Sequence, residues 1–238
     1  MAHERLTFTD IVAVTKQRPR MNFDSQVAIS GDRGVGKSNL AIRIARECDS
    51  AFTLSSNMVW SAKDLELLIR DLPPFSAIIV DEAIAVLFRR DHMKIENKQV
   101  LRLIDICRKR NLVIIWCVPS FFALDSHFVS TQVHLWLHVF ERGRANIYTP
   151  LKGRKWGYLA DPWLRRENAK RGIGASYKKS PNWNGDFTFE KLEPDVEAEY
   201  LRICAVKAAL AHKYEEDVAP LKRRGRPVGS KNRRKVEA

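Results

Sequence analysis

The sequence predicts an α/β fold: a mostly parallel sheet covered by helices, followed by a C-terminal extension and a basic tail. Three observations predict it. Unbroken apolar runs of strand length, Ala77-Ile78-Ile79-Val80 and Leu112 to Val118, alternate with segments of helical periodicity, as expected for strands buried on both faces. A glycine-rich loop, Gly31-Asp32-Arg33-Gly34-Val35-Gly36-Lys37-Ser38, lies between an apolar run and a helical one. Beyond Arg144 the texture changes, which places a core over residues 1–160, an extension over 161–219 and a tail over 220–238.

The elements follow in order. Val27-Ala28-Ile29 leads directly into the glycine loop, and Asn39 to Arg46 follows with Leu40, Ile42, Ile44 and Ala45 at helical spacing. Phe52 to Trp60 has room for a short second strand. Ser61-Ala62-Lys63-Asp64 resembles a capping box, opening a helix that runs through Leu72 and is ended by Pro73-Pro74. The strand Ala77 to Val80 ends in Asp81-Glu82. Asn97 to Lys109 reads as an amphipathic helix with Val100, Leu101, Leu103, Ile104 and Cys107 on its apolar side. Leu112 to Val118 is a buried-type strand stopped by Pro119-Ser120, and Val133 to Phe140 is one more. Asn146 to Thr149 and Trp156 to Leu159, separated by Pro150 to Gly153, read as a hairpin or paired edge strands. Asp161 to Asn184 is polar, basic and loop-like. Asp195 to Tyr214 reads as a helix, with Leu201, Ile203, Cys204, Val206 and Leu210 available for packing. From Pro220 onwards the composition cannot support a core.

A net charge of +13 points to an anionic polymer or surface, most often nucleic acid. More than half of that excess lies between Lys222 and Ala238, where eight Lys or Arg face the single acid Glu237. The four cysteines show no CxxC pair, so a reduced, intracellular setting is expected. Met1 to Arg5 leads into no apolar segment of a signal peptide. The longest unbroken apolar run, Leu112 to Val118, falls far short of the ~20 residues that span a bilayer. A soluble, cytoplasmic protein is expected, in the host cytoplasm if the gene is viral.

The loop satisfies G-x-x-x-x-G-K-[ST] through Gly31, Gly36, Lys37 and Ser38. In such a P-loop, Gly34 and Gly36 let the chain curl so that backbone N–H groups of residues 31–39, Asp32, Arg33, Val35 and Asn39 among them, surround phosphate oxygens. Lys37 supplies charge to the β- and γ-phosphates, Ser38 ligates Mg2+, and the helix that follows directs its N-terminal dipole at the same anion. Asp81, at a strand end 44 positions after Lys37, is placed to coordinate Mg2+ through water, and Glu82 to polarise an attacking water. Ser120, at the tip of the next strong strand, is a candidate γ-phosphate sensor. Arg108 and then Arg110 are candidates for an arginine supplied to a neighbouring subunit. ATP and Mg2+ are the expected ligands. Asn97-Lys98-Gln99-Val100 is not a guanine selector and no LSGGQ-like signature is present, so GTPase and transporter readings fit less well.

Together, Ile78-Ile79-Val80-Asp81-Glu82-Ala83, Leu101 to Arg110, Asn111 to Phe122, Leu124-Asp125 and Leu135 to Val139 resemble ATPases of the additional-strand, catalytic-glutamate division of P-loop proteins. Within that division the likeness is to the FtsK–HerA group, and especially to zonular occludens toxin-like ATPases of phages and archaeal viruses. It covers roughly residues 22–150. The resemblance implies a RecA-like core, ATP hydrolysis between subunits of a homo-oligomeric ring such as a hexamer, and movement of DNA. It also implies a packaging, portal or replication partner. Two departures stand out: the transmembrane helix usual in the filamentous-phage relatives is missing, and Ser120 stands where FtsK-type motors carry Gln.

In the tail, Arg223-Arg224-Gly225-Arg226-Pro227 resembles an AT-hook, extended by Lys231, Arg233, Arg234 and Lys235. An extended Arg-Gly-Arg segment fits a narrow A·T minor groove, and flanking cations add salt-dependent phosphate contacts, so duplex DNA is the expected partner. The stretch Arg165 to Trp183, with Tyr177, Lys178 and Lys179, can add to it. The leading expectation is an ATP-hydrolysing, DNA-dependent motor that moves or packages viral or mobile-element DNA. The alternatives are a DNA-bound helicase loader or transposition regulator, and a nucleotide-binding DNA scaffold with little turnover.

Overall fold

The computed structural model describes residues 6–87, 100–105, 108–150 and 182–217. They fall into two compact units, with the boundary in sequence after Pro194. The first contains α1 (Phe8–Arg20), β1 (Ser25–Ser30), α2 (Lys37–Cys48), α3 (Leu54–Asn57), β2 (Met58–Val59), α4 (Ala62–Asp71), β3 (Ala77–Val80) and α5 (Ile84–Leu87). After α6 (residues 100–105) come β4 (Val113–Val118), α7 (Ser126–Thr131), β5 (Leu135–Glu141), β6 (Arg144–Tyr148) and β7 (Trp183–Thr188). The second unit is dominated by α8 (Pro194–Asp217).

The seven strands form one sheet in the order β2-β3-β4-β1-β5-β6-β7. The first five run parallel, and β6 and β7 add an antiparallel margin. The register Ser25↔Val113 to Ser30↔Val118, with Ala77↔Val113, brings the C-terminal ends of β1, β3 and β4 to one edge. Ligands of open parallel sheets bind outside that edge.

Every residue of β1, β3 and β4 is buried. Alternation along the strands divides them between two faces. Ala28, Ile78, Val80, Ile114, Trp116 and Val118 pack with Leu65 and Ile69 of α4, Val86 and Leu87 of α5, and Val100 and Ile104 of α6. Ile29, Ile79, Ile115 and Cys117 occupy the opposite face, which α1 and α2 cover. Each fully buried Ile or Leu contributes about 1.5–3 kcal/mol, so the central strands are the most stable part of the scaffold.

Local chemistry explains the helix starts. Ser61 caps α4, its Oγ accepting from Asp64 N at 3.1 Å and donating to Asp64 Oδ2 at 2.6 Å. Thr7 and Asp10 make a reciprocal box at α1. Asp49, just beyond α2, accepts from Ala77 N at 3.0 Å and ties the end of that helix to the start of β3.

Four expectations change. Residues 8–20, which carry no strong pattern, form α1. Phe52 to Trp60 holds a turn of helix as well as the two-residue strand β2. Asn146 to Tyr148, expected in a hairpin with Trp156 to Leu159, pairs with β5 on one edge and with β7 on the other. Residues 156–159 lie outside the described residues. Trp183–Thr188, read as the end of a loop, is β7. Among the described residues no helix is long and apolar enough to cross a membrane.

Candidate functional site

The loop from β1 to α2 holds the predicted glycines in conformations that side chains resist. Gly36 caps α2 with φ 101°, in the left-handed region. Gly31 (φ 150°) has no room for a side chain, because a Cβ there would stand 2.3 Å from the carbonyl oxygen of Val139. No side chain caps α2 and no acidic residue occupies its first turn. Its first N–H groups are therefore left to bind an anion.

Lys37 opens α2, and its ammonium donates to the carbonyls of Gly31 at 2.9 Å and Asp32 at 2.8 Å. Burial pushes the Lys37 pKa below the ordinary lysine value, while Cys117, Asp81 and Asp32 act to raise it. Ser38 Oγ donates to Asp81 Oδ1 at 3.2 Å. Asp81 follows β3 directly, and its backbone N–H donates to Val59 of β2 at 3.0 Å. Glu82, exposed, takes φ 57°, a left-handed conformation uncommon outside glycine and often found where a side chain must be aimed. Ala83 N donates to Cys117 O at 2.9 Å, which fixes the turn carrying both acids to the end of β4.

Ser120 is exposed at the end of β4, where it caps the 3-10 turn Phe121–Ala123; the adjacent Pro119 carbonyl accepts from Gly31 N at 3.4 Å. The structure thus brings residues 31–39, Asp81, Glu82 and Ser120 to one edge of the sheet. The arginines stand elsewhere. Arg108 and Arg110 form a 3-10 turn before β4, at the opposite edge from the loop, and Arg110 donates to the carbonyl of Leu72. Their backbone positions are thus remote from the P-loop of their own chain. Arg223, Arg224, Gly225, Arg226, Pro227, Lys231, Arg233, Arg234 and Lys235 lie outside the described residues.

Strand order decides the fold. The strand that precedes the phosphate loop (β1) is separated from the strand that ends in Asp81 (β3) by β4, the additional strand, which ends at Ser120. The core is a P-loop NTPase fold. The P-loop is also buttressed from β5, which sequence reading did not foresee. Ser30 Oγ accepts the Trp136 indole N–H at 2.7 Å and lies 2.9 Å from His138 Nδ1. Burial pushes the His138 pKa below its ordinary value, with Asp32 opposing. Arg142, at the β5–β6 turn, donates from Nε to the carbonyl of Gly34 at 3.1 Å. The only signals for these residues are a histidine within an apolar strand and an Arg-Gly turn pair.

Mg2+ suits the P-loop donor set. The Ser38 hydroxyl and the Asp81 carboxylate are hard oxygen donors already side by side, and Mg2+ takes only one or two protein oxygens beside phosphates and water. Among the described residues there is no cluster of three or more His, Cys, Asp or Glu that could hold a metal ion by itself.

No protein-family model matches the chain, and no curated protein does. Among solved structures it is similar to the N-terminal domain of zonular occludens toxin from Neisseria meningitidis (17% identity, 53% of this chain and 83% of that one, TM-score 0.37). It is similar to the genome packaging NTPase B204 from Sulfolobus turreted icosahedral virus 2 in complex with ATP-gammaS (12% identity, 53% and 92%, TM-score 0.38). It is also similar to C. elegans PCH-2 (14% identity, 57% and 43%, TM-score 0.41), of which it spans less than half.

Proposed function

We propose that this protein hydrolyses ATP and couples the hydrolysis to movement of duplex DNA, as one subunit of a ring. The observation that carries the ATPase reading is the contact of Ser38 with Asp81 across the additional strand, with Glu82 next in sequence. The P-loop N–H groups and the first turn of α2 bind the phosphates, and Lys37 exchanges its bonds to Gly31 and Asp32 for phosphate oxygens. Ser38 and Asp81 would hold Mg2+, which would supply charge neutralisation at the phosphates. Glu82 takes the proton of the attacking water at its carboxylate, and Ser120 reads the γ-phosphate from the tip of β4. Arg108 or Arg110 completes the site of the next subunit, a role compatible with their position at the far edge of the sheet.

The DNA assignment rests on charge. The net +13 is concentrated beyond Lys222 in an Arg-Gly-Arg-Pro context, suited to phosphates and a narrow minor groove. A packaging or mobile-element role follows from the resemblance to FtsK–HerA-type ATPases.

The test is steady-state ATP turnover. Glu82→Gln is expected to lower kcat by about 10²–10⁴-fold, the range for loss of a general base, with nucleotide binding retained. Lys37→Ala is expected to lose binding as well. Full turnover by Glu82→Gln would remove Glu82 from the mechanism.

A further inference from the structure

The P-loop is held by a strand and a turn more than 100 residues away, at three successive points. Before the loop, Ser30 bonds His138 and Trp136 of β5. At its first glycine, the Val139 carbonyl lies so close that no Cβ fits at Gly31. At its crown, Arg142 Nε donates to Gly34 O at 3.1 Å. The turn that presents Arg142 is stiffly built. Gly143 takes φ 78°, Phe189 N donates to Gly143 O at 2.8 Å, and Arg144 pairs with Asp186 of β7 at 3.1 Å.

We infer that Arg142 is a positioning residue for ATP binding, fixing the crown of the P-loop from within the same subunit. The inference rests on the proposed nucleotide site. The carbonyl of Gly34 and the N–H of Val35 belong to one planar trans peptide and point to opposite sides of it. Holding the Gly34 oxygen outward, towards the β5–β6 turn, holds the Val35 N–H inward, on the side where the curled loop collects its donors for phosphate. Gly34 has φ 77° and open space where a Cβ would be, so no side chain at that position restrains the peptide. Without Arg142 the peptide can rotate, and its ordering is charged against nucleotide affinity. The guanidinium is exposed and acts on the loop, so its removal leaves the core intact.

The experiment measures ATPγS binding by calorimetry in Mg2+, with melting temperatures without nucleotide, for wild type, Arg142→Ala, Arg142→Gln and Lys37→Ala. Arg142→Ala is expected to bind about tenfold more weakly, as for loss of one charge-assisted hydrogen bond, with an unchanged nucleotide-free melting temperature. Arg142→Gln keeps an N–H donor and is expected to recover much of the loss. In turnover, KM for ATP rises about as much as the dissociation constant, while kcat changes less. Wild-type affinity in Arg142→Ala, or a loss matched by a fall in nucleotide-free melting temperature, overturns the inference. Binding by wild type but not by Lys37→Ala shows that the P-loop reading stands whichever way Arg142 falls. A wild type that binds no ATPγS overturns both.

Discussion

Gly31 stands where two parts of the chain meet at van der Waals distance, and the site depends on that approach. Gly31→Ala would place a methyl group 2.3 Å from the Val139 carbonyl, a backbone atom that cannot swing aside. The substitution is expected to cost about 1–3 kcal/mol in urea unfolding, as overpacking does, and to weaken nucleotide binding further by moving β5 away from the loop. Glycine in the loop is legible from sequence because phosphate binding needs its backbone freedom. The contact that forbids any other residue at position 31 is not, since it comes from β5. The same holds for Arg142 and His138. Asp81 and Glu82 were readable because an acid ending an apolar strand is conspicuous, whereas a basic residue at a surface turn looks like any solvated charge.

Among elements, the junction of β1 with β5 holds a titratable group. His134 N donates to Gln26 O at 3.2 Å, and its Nδ1 accepts from Gln26 N at 3.0 Å, a role only an imidazole with unprotonated Nδ1 can fill. Burial first, and then the Arg18 charge, push its pKa from 6.5 down to about 3. The unfolded chain takes up a proton at this ring below pH 6.5, and the folded chain does so only near pH 3. The stabilisation is therefore complete above pH 6.5 and declines as pH falls through that window, by up to about 1.4 kcal/mol per unit. Between pH 7 and pH 5, urea unfolding of wild type is expected to lose about 1–2 kcal/mol more than that of His134→Gln, which carries no charge at either pH. Equal losses would show that the junction is indifferent to protonation.

The central strands were legible as elements because they are buried on both faces and keep an unbroken apolar pattern, and α2 because Leu40, Ile42, Ile44 and Ala45 recur at helical spacing. α1 and β7 were not. In β7, Asn184, Gly185 and Asp186 are poor strand formers, and the strand exists because β6 offers it a free edge. In α1 the buried positions are only Ile11, Val12, Thr15 and Pro19, set among charged residues and ending on a proline. Its stability comes from docking on β1 and α2, which no local pattern reports.

For the whole molecule, the additional-strand order brings the P-loop and the paired acids to one edge of the core, where the proposed hydrolysis would occur, and the basic tail supplies the reason to expect DNA. If Arg108 or Arg110 serves a neighbouring subunit, as proposed, assembly and turnover should rise together. The most direct measurement is the ATP hydrolysis rate of the full chain without DNA, with single-stranded DNA and with duplex DNA, recorded beside its native mass in ATP. The expected result is a ring-sized assembly whose rate rises with duplex DNA, the stimulation fading as salt displaces phosphate contacts. A protein that stays monomeric in ATP and hydrolyses at the same rate with and without DNA would contradict it.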